Sequence, residues 1–221
     1  MFAPGTEDSA AWLLVIGAAL LGCILSPAAE MIIARFLPRL GGLPPLAVRI
    51  TTAALTGVAC AAFTIRYGIT FAALAFIFLA VLGVQLARID AAQHLLPNPL
   101  VLTLLMGGLL PLLMSSIFDK QTDDLVRAMV GAAILFVSYL ILALISPGGI
   151  GMGDVKLAAP VGLYLGYLGW SQLLYGGLAG FILNGIVTMI IVSRNRRNQA
   201  KEVPHGPSMI AATAGTALLF F

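Results

Sequence analysis

Charge is scarce in this sequence of 221 residues. Only 10% of the residues are charged, 12 Lys or Arg against 9 Asp or Glu, while 60% are hydrophobic. A soluble domain carries about a quarter charged residues, so the composition excludes a soluble globular protein. It is typical of an integral membrane protein, and we expect a single integral-membrane domain over residues 1–221.

Cysteine and histidine are also rare, with two of each in the chain. Cys23 and Cys60 lie inside apolar segments, and His94 and His205 are far apart in the sequence. No C-x-x-C spacing occurs, so we interpret the cysteines as small packing residues. A zinc site needs about four such ligands close together. The sequence therefore predicts no metal ion.

Hydropathy divides the chain into eight segments of helical length. They are residues 10–34, 46–65, 69–89, 99–118, 125–146, 154–169, 172–193 and 206–221. A membrane-spanning helix needs about 20 apolar residues, so these segments predict an all-α, polytopic transmembrane helical bundle with about eight spans. The segment 154–169 is short and contains Pro160; if it does not span, the count is seven.

The cations are distributed unevenly between the two faces of this predicted bundle. Cytoplasmic loops retain Lys and Arg, so the face with nine of the twelve is expected to be cytoplasmic. The nine are Arg35, Arg39, Arg49, Arg88, Lys156, Arg194, Arg196, Arg197 and Lys201, and the other three are Arg66, Lys120 and Arg127.

Two aspartates adjoin apolar segments on the same predicted face, Asp90 in LARIDAAQHLLPNPL and Asp154 in GGIGMGDVKL. A carboxylate at bilayer depth is costly unless it faces a wet cavity or a partner. We expect Asp90 at the exit of the third helix, and Asp154 near the start of a helix, where the glycines before it give a flexible backbone. Two aspartates about 3 Å apart share one proton, so one activates water while the other donates to a scissile carbonyl. The pair therefore indicates peptide hydrolysis.

Other readings of these residues stay open. An aspartate pair in a membrane also fits a proton- or cation-coupled transporter, and an isolated aspartate fits a helix cap. Gly151 and Gly153 would let a peptide approach the backbone closely, and Lys156 would interact with the pair or with a substrate carbonyl.

Four more polar residues have simple structural interpretations. Asn98 is a good N-cap for the fourth helix. Glu30 is interpreted as an interfacial ion pair with Arg35, and Asn184 is expected to hydrogen-bond across helices. His94 is either a polar interfacial residue or a group that tunes Asp90.

Four segments of the sequence resemble the type IV prepilin peptidases. GMGDVKL resembles the GxGD signature of that family, and IDAAQHLLPNPL is similar to its first aspartate motif. VPHGPSMIAAT is similar to the segment that opens the last helix, with His205 where the family usually has Phe. PLAVRITTAALTG resembles the segment leading into the second helix, with Arg49 in place of the usual glutamate. The resemblance runs from about Pro45 to the end of the chain.

The resemblance implies a membrane aspartic endopeptidase with Asp90 and Asp154 as catalytic residues and Gly151, Gly153 and Lys156 at the substrate. It implies cleavage of a basic leader from a prepilin or pseudopilin, at the cytoplasmic face of the plasma (inner) membrane. Membrane lipid is the other expected partner; no nucleic acid and no cofactor are expected. RLGGLP leads directly into PLAVRI, without the cysteine-rich cytoplasmic domain of the fuller members, so N-methyltransferase activity is not expected.

Overall fold

The computed structural model describes residues 6–120, 122–146, 149–194 and 203–220. These ranges form eight α-helices, a short 3-10 helix at Pro38–Leu40, and no β-strand, which confirms the predicted all-α class. The helices are α1 (Thr6–Phe36), α2 (Leu46–Tyr67), α3 (Phe71–Gln93), α4 (Asn98–Phe118), α5 (Thr122–Ile145), α6 (Met152–Leu168), α7 (Trp170–Arg194) and α8 (Gly206–Leu219).

Within the described ranges, six helices, α1 to α5 and α7, are long and apolar enough to cross a membrane. The other two are shorter, with 17 residues in α6 and 14 in α8. At a rise of about 1.5 Å per residue, they reach about 25 Å and about 20 Å, against a hydrocarbon core of about 30 Å. The chain is therefore a multi-pass membrane protein in which six of the eight helices meet the length of a full span.

Helices α3 and α6 form the centre of the bundle. Of the most apolar part of α3, 67% is buried, against 11% for α1 and for α7. Tyr164 of α6 is fully buried, and its hydroxyl donates a 3.1 Å hydrogen bond to the carbonyl of Ala75 in α3. The outer helices expose aliphatic side chains, as expected for surfaces that contact lipid.

Backbones approach closely where α5 packs on α6. A Cβ on Gly162 would collide with the carbonyl oxygen of Gly131, and one on Gly166 would lie 2.7 Å from the carbonyl oxygen of Arg127. In a bilayer, small residues allow the close packing that replaces the hydrophobic effect as the force between helices. This contact fixes the position of α6, which carries Asp154.

Arg127 of α5 holds the far end of α6. Its Nε donates a 2.7 Å hydrogen bond to the carbonyl of Gly166, and its Nη2 donates one of 2.7 Å to the carbonyl of Tyr167. Nη2 also contacts Asp124 Oδ1 at 2.8 Å. A cation at a helix C-terminus satisfies the last carbonyl groups and complements the helix dipole. Helix α6 is thus anchored at the end opposite Asp154.

Glu30 forms a different ion pair from the one the sequence suggested. Its side chain is 1% exposed and accepts hydrogen bonds from Arg49 Nε at 3.2 Å and Thr52 Oγ1 at 2.7 Å. The expected pairing with Arg35 is wrong. Positions five apart on a helix differ by about 140° in direction at 3.6 residues per turn, so Glu30 faces α2 while Arg35 is exposed.

Candidate active site

Asp90 and Asp154 line the same cavity, at one end of the helix bundle. The cavity has a volume of about 420 Å³ and also contacts His205 and Asn184. An adjoining cavity of about 310 Å³ includes both aspartates as well. The structure therefore brings together the two residues that the sequence singled out.

Another cavity, of about 680 Å³, is a different kind of site. It lies at the other end of the helices, where apolar side chains such as Leu13, Phe71 and Phe118 line it together with Asp119. Neither Asp90 nor Asp154 lines this cavity.

Asp90 occupies the last turn of α3, as predicted, and is 5% exposed. Its Oδ2 accepts a 3.1 Å hydrogen bond from the main-chain N–H of Gly206, the first residue of α8. A Cβ on Gly206 would lie 2.6 Å from that oxygen, so the absence of a side chain lets α8 approach the carboxylate. In the sequence Gly206 belongs to the segment VPHGPSMIAAT, and nothing in that segment predicts its contact with Asp90.

Asp154 occupies the first turn of α6, as predicted. Gly151 immediately precedes the helix, and its ideal Cβ position lies 3.4 Å from Asp154 Oδ2. Gly153 packs on Leu96, where a Cβ would be 3.0 Å from the Leu96 Cβ. Gly151 is exposed and thus leaves the backbone beside Asp154 uncovered, whereas Gly153 is in contact with Leu96. Pro147 and Gly148, the start of this glycine-rich segment, lie outside the described residues.

Lys156 lies at the mouth of the smaller cavity, which both aspartates also line. Its Nζ donates a 2.9 Å hydrogen bond to Asn98 Oδ1. The prediction that Asn98 caps α4 is wrong: Asn98 is already inside the helix, Pro97 occupies the N-cap, and no side chain caps this end. The Asn98 side chain orients Lys156 instead.

His94, four residues after Asp90, is the C-cap residue of α3. It adopts the left-handed conformation with φ 51° and ψ 43°, and its N–H donates to the carbonyl of Asp90 at 2.8 Å. Histidine is among the residues enriched in this conformation outside glycine. The His94 residue lines both cavities, which favours the reading that it influences Asp90.

Phe181 and His205 line the 420 Å³ cavity, and Tyr139 packs against both of their rings. His205 Nε2 and the Tyr139 hydroxyl are hydrogen-bonded at 2.8 Å. Phe181 stacks on Tyr139 with a centroid distance of 5.1 Å and contacts the His205 ring in a tilted arrangement at 5.0 Å. Burial lowers the pKa of His205, which favours the neutral ring. These three residues come from α5, α7 and the segment before α8, and no sequence pattern linked them.

Asn184 of α7 also lines the cavity. The sequence suggested that it hydrogen-bonds across helices. In the structure its Oδ1 atom is buried and has no hydrogen-bond partner among the described residues, so that expectation is wrong for this atom. The only signal available was a polar side chain inside an apolar segment.

The fold and the cavity define a class of protein: a multi-pass membrane protein with two aspartates facing one cavity at the end of a helix bundle. Residues 73–193 match the model of the type IV leader peptidase family. The chain belongs to this family, which confirms the resemblance found in its motifs. Asp90 and Asp154 both fall within the matched residues.

Several curated relatives are named prepilin leader peptidase/N-methyltransferase. The protein of Aeromonas salmonicida (strain A449) is 33% identical over 166 residues, which are 75% of this chain and 54% of that protein. The protein of Burkholderia pseudomallei (strain K96243) is 31% identical over 179 residues, 80% of this chain and 56% of the relative. The Bacillus subtilis (strain 168) protein is 28% identical over 162 residues, which are 72% of this chain and 61% of that protein.

The chain spans about half the length of the curated relatives it matches. No solved structure matches it.

Proposed function

We propose that this chain is a membrane aspartic endopeptidase that removes the basic leader peptide from type IV prepilins or pseudopilins. The observation that carries the proposal is the shared cavity, into which α3 brings Asp90 and α6 brings Asp154. The names of the relatives support this substrate class, and the family match includes both aspartates. In this proposal residues 1–221 form a single integral-membrane peptidase domain.

The proposed chemistry uses one proton shared by the two carboxyl groups. One carboxylate takes a proton from water, whose oxygen attacks the scissile carbonyl carbon, while the other carboxyl group donates its proton to the carbonyl oxygen. The C–N bond then breaks as the first carboxyl group passes its proton to the leaving amine. A hydroxyl of the intermediate returns a proton to the second group, and the pair is restored with one proton. No metal or covalent intermediate is needed.

Gly151, Gly153 and Lys156 are the proposed substrate-binding residues. Gly151 presents bare backbone beside the Asp154 carboxylate, so an extended peptide has room there. Lys156 projects from the smaller cavity and is exposed, which places its ammonium group within reach of a substrate carbonyl.

We propose that the cavity opens to the cytoplasmic face of the plasma (inner) membrane, with lipid around the outer helices. Among the described residues, the end of the bundle that carries the aspartates also carries five cations, which lie around the first loop, at the end of α3 and at the start of α6. These are Arg35, Arg39, Arg49, Arg88 and Lys156, and the opposite end has Arg66, Lys120 and Arg127. This excess supports a cytoplasmic assignment. Arg196, Arg197 and Lys201 lie outside the described residues.

The alternative of a proton- or cation-coupled transporter is less well supported. Transporter sites lie near the bilayer midplane, whereas Asp90 is in the last turn of α3 and Asp154 in the first turn of α6. Methyl transfer, the second activity in the names of the relatives, is not part of the proposal because RLGGLP leads directly into PLAVRI, with no cysteine-rich domain between them.

The proposal is tested by incubating membranes that contain the chain with a candidate prepilin and reading the product's N-terminus by mass spectrometry. Membranes of the same host without the chain are the control. We expect a new N-terminus at the end of the basic leader only where the chain is present. A panel of prepilins and pseudopilins left intact by well-expressed protein would refute the proposal.

A further inference from the structure

The N–H group that contacts Asp90 belongs to the peptide unit between His205 and Gly206. Gly206 N–H donates to Asp90 Oδ2 at 3.1 Å. The carbonyl oxygen of the same unit, that of His205, accepts from the N–H groups of Ser208 and Met209, both at 3.1 Å. A peptide unit is planar and rigid, so the direction of the Gly206 N–H follows the position of His205. A contact that fixes His205 therefore also directs this N–H at the Asp90 carboxylate.

Tyr139 of α5 provides such a contact. Its hydroxyl and His205 Nε2 are hydrogen-bonded at 2.8 Å, and the centroids of the two rings are 5.7 Å apart. Phe181 of α7 packs on both rings. His205, the N-cap residue of α8, is thus held by side chains of two other helices at the point where α8 begins.

Tyr139 itself is not part of the wall of the aspartate cavities. It is 2% exposed, and it lines neither the 420 Å³ cavity nor the 310 Å³ one. His205, in contrast, lines the larger of the two. An effect of the Tyr139 hydroxyl on a reaction in these cavities therefore has to pass through His205 and the start of α8.

Helix α5, which carries Tyr139, is also the helix on which α6 packs. The carbonyl oxygen of Gly131 in α5 lies against Gly162 of α6, and α6 carries Asp154. Through Tyr139, α5 also contacts the start of α8, which contacts Asp90. The placement of the two carboxyl groups relative to each other thus depends on contacts made by α5.

Resting on the proposed peptidase function, we propose that Tyr139 is a positioning residue for leader cleavage, whose hydroxyl acts through His205 and the Gly206 N–H to keep Asp90 in place. A displacement of about 1 Å in a catalytic group costs about 100-fold in rate, so the loss of this contact affects the chemical step. Binding of the peptide is unaffected, because Tyr139 does not line the cavities.

The test compares Tyr139→Phe with Tyr67→Phe, its matched control. Each variant loses a hydroxyl group and keeps its ring. The Tyr67 hydroxyl donates a 2.8 Å hydrogen bond to the carbonyl of Ala217, near the other end of α8. Ala217 is eleven residues after Gly206, about 16 Å along the helix at about 1.5 Å per residue. The two variants thus weaken the attachment of the same helix at opposite ends.

We expect Tyr139→Phe to lower kcat for prepilin cleavage about tenfold, less than a full displacement of about 1 Å would, and to leave KM within about twofold. Tyr67→Phe should keep the parental kcat and KM. Thermal unfolding in detergent should show a similar decrease in Tm for both variants, since each loses one hydrogen bond. The difference in kcat then separates positioning from stability.

A double variant tests the route through His205. His205→Phe removes the same hydrogen bond from its other side, so it should also lower kcat about tenfold. Tyr139→Phe combined with His205→Phe should lose no more than either single variant, because each single change already removes the bond. Independent effects would instead multiply to about 100-fold.

Three results would each overturn this inference and leave the proposed peptidase in place. They are a parental kcat in Tyr139→Phe, an equal loss of kcat in Tyr67→Phe, and a multiplied loss in the double variant. Absence of cleavage by the parent protein itself would instead remove the proposed function, and the inference with it.

Discussion

The main-chain N–H of Gly206 donates a 3.1 Å hydrogen bond to Oδ2 of Asp90. This contact joins the start of α8 to the end of α3, and a Cβ on Gly206 would lie only 2.6 Å from the same oxygen. Asp90 is therefore held against a backbone position that has no space for a side chain. The start of α8 belongs to the candidate site, although the family match ends at residue 193.

Replacing Gly206 with alanine should disable the proposed peptidase without unfolding it. The added methyl group has to push away the Asp90 carboxylate or the start of α8, and a displacement of about 1 Å in a catalytic group costs about 100-fold in rate. We expect a loss of that size in the initial rate of leader cleavage, measured by mass spectrometry at equal protein abundance.

Gly215→Ala is the matched control for this variant. Gly215 lies on the same helix, and a Cβ there would meet nothing within 4 Å. It should cleave at the parental rate. Equal activity of the two alanine variants would show that the Gly206 contact has no role in placing Asp90.

A stability prediction follows from the close contact of α5 and α6. Gly162→Ala puts a methyl group against the carbonyl oxygen of Gly131, and overpacking of this kind costs about 1–3 kcal/mol. We expect a lower Tm for the detergent-solubilised protein. Gly185→Ala on α7, where a Cβ would meet nothing within 4 Å, should leave Tm equal or higher because alanine favours the helix. Identical Tm values for the two variants would contradict the described packing.

The sequence predicted the helices well because their length is set by the membrane. The predicted segment 46–65 corresponds to Leu46–Tyr67 and 99–118 to Asn98–Phe118. The positions of Asp90 and Asp154 at helix ends were also predicted, since proline and glycine mark those boundaries.

The sequence did not predict which residues of different helices contact one another. The Gly206 contact with Asp90 and the hydrogen bond of Tyr139 with His205 each join distant segments. Both depend on how the helices are rotated and packed, which hydropathy does not specify. The error over Glu30 has the same origin: proximity in the sequence suggested Arg35, whereas the packing of α1 on α2 provides Arg49.

The proposed orientation is tested by labelling single cysteines with an impermeant maleimide. In a variant lacking Cys23 and Cys60, a cysteine at Ala92 or Gly149 should react only after the membrane is opened, and one at Thr122 should react in intact cells. All three positions are exposed, so differences report the side of the membrane. Labelling of position 92 or 149 from outside would place the aspartates on the wrong face for a cytoplasmic leader.

Cleavage is expected to survive chelation. Among the described residues, no group of three His, Cys, Asp or Glu side chains is placed to hold a metal ion, and the proposed reaction uses only two carboxyl groups and water. We expect EDTA to change the rate of leader cleavage by less than about twofold. Inactivation by EDTA that zinc reverses would require a metal in the mechanism.

The most direct test of the central claim is leader cleavage by Asp90→Asn and Asp154→Asn in membranes. Asparagine keeps the shape of each side chain but cannot take up or donate the carboxyl proton, so each variant should lose at least about 100-fold in rate. Both should remain inserted at parental abundance, because removing a charge from a buried site lowers its desolvation cost. Release of the leader at the parental rate by either variant would contradict an aspartate pair as the catalytic centre.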